Sequence, residues 1–304
     1  MIKYKYIIIG GGISGCIASE ILQDDTLIIE RSPKLGGEMS NEILGPKLYH
    51  STDITKTFFK HYIKSIKNIY CKTLKNGVQC NDKSSYNKKI GYSFNNSQNS
   101  SISEFQALKL DLESFYNKQK AMISANVIKI DVNKKLVYVL QNKKIHIFSY
   151  EYILSTIDYE FFMHLCNLKV SIDLRRRGVL YYNFNADYLE KFEHLSKVDF
   201  WYNLSDHEFF RCTNLENGTK TLEIFVEDFG SISEQISKYF KSATDGLVYY
   251  NPSAKIWTSS KTLSYNELKW ANIYLLGRNA LYNHDRIQDV ISSMQQIAKE
   301  IKNK

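Results

Sequence analysis

The sequence predicts an α/β fold: a domain on a parallel sheet, interrupted by an inserted α+β domain that carries an antiparallel sheet. Three observations predict it. Residues 2–30, IKYKYIIIGGGISGCIASEILQDDTLIIE, run as strand, glycine turn, helix and strand. Residues 272–301 repeat strand into glycine, in IYLLG, before a long helical periodicity. Between them, LRRRGVLYYNFN, VDFWYNLSDHEFFRCTN and TKTLEIFVE alternate apolar and polar residues, as antiparallel strands do. The first domain is therefore assigned residues 1–53, 118–158 and 251–304, and the inserted domain residues 54–117 and 159–250.

Composition supports a packed globular chain. The 304 residues are 43% hydrophobic and 13% aromatic, with three prolines and no Gly/Ser-rich linker, so global disorder is excluded. The first strand begins at residue 2, leaving no room for a cleavable leader, and no apolar run approaches the roughly 18–20 residues that span a bilayer. Cysteines 16, 71, 80, 166 and 212 form no CxxC pair, so a reducing, cytoplasmic setting is expected without disulfides. No His or Cys spacing suggests a metal site. The net charge of +8 comes from lysines scattered through every segment, which does not favour nucleic acid as a partner. Arginine is scarce: Arg31, Arg175, Arg176, Arg177, Arg211, Arg278 and Arg286 are the full set. Each is a candidate for a role that needs its forked donors.

The glycines come next. The run at residues 7–9 is apolar throughout, as a buried parallel strand should be. Gly10, Gly12 and Gly15 then form GxGxxG at the mouth of a helix whose Ile17, Ala18, Ile21 and Leu22 share a face. In this setting the first glycine allows the tight turn and the second lets main chain approach a pyrophosphate. The third lets helix pack on strand. Glu30, ending the next strand, suits ribose hydroxyls and disfavours a 2′-phosphate. Arg31 and the Gly36-Gly37 pair follow at once, where a plain NAD-binding domain would continue into another crossover helix.

This arrangement resembles the flavin amine oxidase and protoporphyrinogen oxidase-like superfamily, with segments similar to UDP-galactopyranose mutase. The resemblance implies FAD as cofactor and a Rossmann-like FAD-binding domain. It implies cofactor contacts at Gly10, Gly12, Ile13, Ser14, Gly15, Glu30, Arg31, Gly36 and Gly37. Residues 125–158 match the superfamily's returning segment, in which Val127 would offer backbone groups to the adenine and an apolar strand, YILSTI, re-enters the sheet. Near the C-terminus, Gly277 and Arg278 match the family's Gly-Arg pair, and the last helix would bring its N-terminus to the flavin through Asp285, Arg286 and Ile287. Asp285 is the expected N-cap. LGPKLYHSTD, residues 44–53, resembles the mutase segment that passes the flavin ring and makes His50 a site candidate.

The inserted domain is expected to open with an amphipathic helix, ITKTFFKHYIKSI, and to roof the flavin with its sheet. By the same resemblance Arg177, Tyr202 and Arg211 would reach flavin or substrate. Where the mutase has a further pyrophosphate-gripping arginine, this chain has Leu180. The leading expectation is an FAD-dependent oxidoreductase that moves a hydride from a small organic substrate to flavin N5. The alternatives are a mutase-like sugar-nucleotide isomerase using reduced FAD as nucleophile and a non-catalytic FAD-binding scaffold. A small-molecule substrate is the expected partner, and nothing in the sequence indicates an oligomer.

Overall fold

A computed structural model describes residues 1–23, 25–37, 49–80, 104–170, 174–206, 208–215, 217–226, 232–241, 243, 246–259, 263–281 and 286–303, with backbone alone at 174–177 and 252–259. Two large sheets organise them. The first runs β7 (Ala121–Met122), β2 (Thr26–Ile29), β1 (Ile2–Ile9), β10 (Lys144–Ser155), β9 (Leu136–Gln141) and β8 (Asn126–Asp131), with β18 (Ile273–Leu275) also on β10. β1 pairs in parallel with β2 and β10, and β18 joins β10 in parallel. Ile7 and Ile9 enter one core with helix Tyr159–Leu165. Tyr6 and Ile8 enter the other with helices Ile13–Leu22 and Ile287–Lys302. Apolar residues on both faces are what a parallel sheet covered on two sides demands.

The expected hairpin strand and the apolar strand YILSTI prove to be one element. The first half of β10 pairs antiparallel with β9, and its second half pairs parallel with β1 and β18. Asn142 and Lys143, with φ of 50° and 62°, make the two-residue turn whose left-handed backbone matches the twist of its flanking strands.

The second sheet runs β17 (Leu247–Ser259), β11 (Leu174–Asn185), β15 (Thr219–Phe225), β14 (Arg211–Asn214), β13 (Phe200–Asn203), β4 (Ile63–Lys75), β6 (Glu104–Leu110) and β3 (Tyr49–His50), with β5 (Val78–Gln79) on β4. Its pairings are antiparallel except β13 with β4. One face buries Trp201, Cys212, Leu222 and Ile224 against the 3₁₀ helix Glu190–Lys197, the helix Ile232–Ser237 and the two-stranded ribbon of β12 (Asp187–Tyr188) and β16 (Phe240–Lys241). The opposite face carries the groups discussed below.

The chain crosses between the two sheets at places other than residues 53, 117 and 250. β3 already belongs to the larger sheet, while helix Leu112–Asn117 sends Phe115 and Tyr116 into the first domain's core. β17 stays paired with β11 as far as Ser259.

One expected element is overturned. The helix expected over residues 54–66 is only Asp53–Phe58, capped by Thr52, and the chain turns to enter β4 at Ile63. Ile63 and Ile66 have helical spacing, but Ile66 is 48% exposed, so that stripe has no core to face. Pairing with β6, remote in sequence, decides the matter in favour of strand.

Trp201 is fully buried on the covered side of the larger sheet, and its indole N–H donates to the Tyr188 hydroxyl at 3.0 Å. Trp201→Ala should therefore lower unfolding stability by about 3–5 kcal/mol, measured by urea denaturation. A loss under about 1 kcal/mol would show that this core is not packed as described.

Candidate functional site

The glycine turn is tightened by contacts that only glycine permits. Gly10 has φ +101°, and its N–H donates to the Ile29 carbonyl at 3.0 Å. A Cβ on Gly15 would lie 2.0 Å from the Gly10 carbonyl oxygen. At Gly12 a Cβ would meet nothing within 4 Å. The turn is closed on its inner side and open at Gly12, above the N-terminus of helix Ile13–Leu22, whose N-cap is Gly12 itself. The second glycine pair lies against the first: Gly36 N–H donates to Gly11 O at 2.8 Å, Gly12 bridges to Gly36, and a Cβ on Gly37 would be 3.3 Å from the Gly12 Cα.

Glu30 fixes this junction. Only 7% exposed, its carboxylate accepts from Gly11 N–H at 2.6 Å and from Ser32 N–H at 2.7 Å. Its main-chain carbonyl accepts from Ala125 N–H at 2.9 Å, which draws the start of the β8 segment, with Val127, to the same corner. The Val127 side chain is core, opposite Val139 on β9. Burial first, and then the Glu30 charge, push the Cys16 thiol up to about 12, so it stays protonated. Arg31 and Arg278 are exposed.

The C-terminal segment meets the same turn. A Cβ on Gly277 would be 2.4 Å from the Ser14 hydroxyl oxygen. The last helix is Ile287–Lys302 with Arg286 as N-cap, which corrects the expectation of Asp285; residue 285 lies outside the described residues. The acidic partner acts from inside the first turn, where Asp289 accepts from Arg286 N–H at 2.8 Å. Gln288 in that turn buries its amide oxygen without a partner.

His50 joins this helix to the larger sheet. Its ring stacks on Phe105 with centroids 4.3 Å apart, and its carbonyl accepts from the Thr55 hydroxyl at 2.7 Å. Burial, and then the positive charge of Arg286, push the imidazole down from 6.5 to about 4, so it is neutral near pH 7. Phe105 lies 6.2 Å from Phe200, and the Arg211 guanidinium sits 5.6 Å over Phe200.

Arg211 occupies the middle of a cross-strand row. Register places Tyr249, Tyr181, Glu223, Arg211, Tyr202 and Thr73 opposite one another on six successive strands, hence on one face. Arg211 Nε donates to Glu223 Oε1 at 2.6 Å, and Nη2 donates to the same oxygen. Burial would lower the guanidinium's pKa, but the Glu223 carboxylate outweighs it and holds the value above the usual range. Arg177 lies in β11 opposite Lys255, and its side chain is outside the described residues.

The structure thus brings His50, Arg286, Tyr202 and Arg211 into one connected set, and the glycine turn, Glu30 and Gly277 into another. Glu223, Tyr181 and Thr73 are the members that sequence reasoning missed. Glu223 had a readable signal: a carboxylate between Leu222 and Ile224 in an apolar strand needs a cation, and arginine is scarce. A groove of about 1360 Å³ opens beside Pro33, Leu35, Tyr49 and Tyr116, but His50, Tyr202 and Arg211 do not line it. Among the described residues no three His, Cys, Asp or Glu side chains cluster as a metal site, and no helix is long and apolar enough to cross a membrane.

The fold is that of the Rossmann-type flavoproteins with an added substrate domain. The reduced UDP-galactopyranose mutase structure matches with TM-score 0.70 at 12% identity, over 99% of this chain and 96% of that one. A putative protoporphyrinogen oxidase from Exiguobacterium sp. 255-15 matches with TM-score 0.63 at 10% identity, over 99% of each chain. A putrescine oxidase redesigned in its cofactor binding matches with TM-score 0.64 at 10% identity, over the whole of both chains. No family model and no curated protein matches the sequence.

The His50 environment has a consequence for stability. The unfolded imidazole titrates near 6.5 and the folded one near 4, so between these values the unfolded chain binds the extra proton. The contribution is complete above about 6.5 and is lost as pH falls to about 4. Urea midpoints should therefore fall more steeply over that window for the wild type than for His50→Phe, which keeps a ring on Phe105 but takes no proton. Parallel curves would show that His50 does not titrate there.

Proposed function

We propose that the chain binds FAD at the glycine turn and is a flavin-dependent oxidoreductase acting on a small organic substrate. The observation that carries this reading is the opening at Gly12, set above a helix N-terminus and beside the buried Glu30. The donor set suits the group: N–H groups at a helix start favour a diphosphate, and a carboxylate held at the tip of β2 favours ribose hydroxyls.

In this reading Gly10, Gly12, Ile13, Ser14 and Gly15 hold the diphosphate. Glu30 and Arg31 hold the adenosine ribose and its surroundings, Val127 serves the adenine through its backbone, and Gly36 and Gly37 keep the opposite wall thin. Gly277, Arg278, Arg286 and Ile287 serve the flavin end, where the positive end of the last helix favours negative charge. Bound there, FAD would supply the acceptor for a hydride from a C–H or C–N centre. The chain's own part is placement and electrostatics: His50 stays neutral, while Tyr202, Arg211 and Arg177 receive substrate. The likeness to putrescine oxidase and protoporphyrinogen oxidase supports oxidation as the reaction class. The mutase-like reading lacks its phosphate grip, because Leu180 packs with Tyr182 and Phe184 on the covered face of the sheet, away from the Arg211 row.

Two glycine variants test the cofactor site. Gly12→Ala enters open space, so stability of the FAD-free protein should change by less than about 1 kcal/mol. FAD affinity, read by titrating the flavin absorbance, should drop at least about tenfold. Gly15→Ala collides with main chain and should destabilise the FAD-free protein by roughly 1–3 kcal/mol or more. A wild-type protein that leaves the FAD spectrum unperturbed, or a Gly12→Ala protein that binds FAD as the wild type does, overturns the proposal.

A further inference from the structure

The antiparallel end of the first sheet has one covered face and one bare face. Val127, Ile130, Val137, Val139 and Phe148 enter the core that packs on helix Tyr159–Leu165. Alternation sends the residues between them to the other side. There Leu140 of β9 stands opposite Ile145 of β10, and Tyr138 opposite Ile147. Ile128, the extra residue of a bulge in β8, adds to them. Ile128, Leu140, Ile145 and Ile147 are between 39% and 61% exposed. Helices Ile13–Leu22 and Ile287–Lys302 pack on the parallel half of the sheet through Tyr6, Ile8, Tyr152 and Leu154, and none of the four exposed residues joins that core. Single apolar residues scattered over a surface need no explanation, whereas four on three adjoining strands make a patch.

The charge around this patch has one sign. Residues 126–147 hold five lysines and one acid, Asp131, for a net charge of +4. Asp131 accepts the Lys134 N–H at 3.0 Å. Lys129 lies opposite Tyr138 and on the same face, its ammonium 5.7 Å over the ring. Lys134 and Lys135 stand in the turn between β8 and β9, and Lys143 and Lys144 where β9 turns into β10, all of them exposed. Successive turns of a meander lie at opposite ends of its strands, so basic groups flank the apolar strip at both ends.

We infer that this face docks on an anionic lipid bilayer, laying its isoleucines and leucine into the head-group boundary while the lysines meet lipid phosphates. The inference stands apart from the cofactor assignment. A second copy of the chain is disfavoured as occupant, because a two-fold contact here would set basic turns against basic turns. An acidic protein is favoured less than lipid. Residues 126–147 contain no arginine and no tryptophan, the types in which protein interfaces concentrate their energy and, for arginine, their grip on carboxylates. A lipid surface asks for neither. Apolar area and lysine attraction to many head groups together give reversible interfacial binding without fixed pair geometry. Tyr138, an apolar ring with a polar tip, suits the same boundary layer.

Sedimentation of the full chain with vesicles tests this, using phosphatidylcholine alone and phosphatidylcholine mixed with phosphatidylglycerol. The chain should pellet with the mixed vesicles and stay in the supernatant with the neutral ones, and added salt should weaken the binding. Ile145→Thr combined with Ile147→Thr keeps the β-branch that suits a strand. This variant should hold its thermal midpoint within about 4 °C of the wild type and lose about tenfold in partition coefficient. Lys143→Gln combined with Lys144→Gln should also lose about tenfold. Lys191→Gln combined with Lys197→Gln removes the same charge from the 3₁₀ helix of the inserted domain, and should lose no more than about twofold. The inference is overturned if the wild type ignores the mixed vesicles or binds the neutral ones equally well. It is overturned as well if the threonine variant partitions like the wild type, or if the Lys191 and Lys197 changes cost as much as those at Lys143 and Lys144. A larger fall in the midpoint of the threonine variant also counts against it, because those side chains would then be packed rather than bare.

Discussion

The junction at Glu30 is the constraint on which the rest depends. A buried carboxylate is expensive unless its oxygens are satisfied, and Gly11 and Ser32 supply two main-chain N–H groups for it. Satisfying Glu30 in this way ties the glycine turn to the residues after β2, and the Gly36 N–H then closes on Gly11. Two loops that are remote in composition from any core are thereby held within main-chain contact, with the helix start between them and the space at Gly12 unfilled. A side chain at Gly15 would break this geometry from inside. A side chain at Gly12 would only occupy what the geometry leaves open, and that asymmetry separates a stability role from a binding role within one motif.

The larger sheet is built on a different principle. Its two faces are chemically unlike because strand alternation assigns Trp201, Cys212 and Leu222 to one side and Tyr202, Arg211 and Glu223 to the other. The first side is covered by short helices and holds the domain together. The second carries a neutralised ion pair among rings, and it connects through Phe200, Phe105 and His50 to Arg286 at the start of the last helix. Residues from β3, β14 and the start of the last helix, far apart along the chain, are thus joined by ring contacts and by the charge of Arg286 on His50.

What the sequence made legible follows from the range of the forces involved. The glycine turn, Glu30 and the first two strands lie within one local unit, so spacing alone located them. The last helix was readable from its apolar period, though its N-cap proves to be Arg286, whose N–H is accepted by Asp289 in the first turn. β4 was misread as helix because its Ile63 and Ile66 fit a helical stripe, and the strand that overrules it, β6, begins at Glu104. Arg211 was singled out by arginine scarcity. Glu223 was detectable as a carboxylate in an apolar strand, but that Arg211 is its partner emerges only when β14 and β15 pair, and the complete row only when six strands are in register.

The charges around the candidate site also explain why it holds its character across physiological pH. Histidine is the side chain that would ordinarily change charge there, and among the described residues His50 is the one that feels the charge of Arg286. Burial first, and then the positive charge of Arg286, keep it neutral until about pH 4. The remaining positive character comes from main-chain N–H groups at two helix starts, from Arg286 and from Arg211, which is paired with the buried Glu223. The N-terminus of the last helix favours negative charge, and the neutral His50 beside Arg286 adds no charge there above about pH 4.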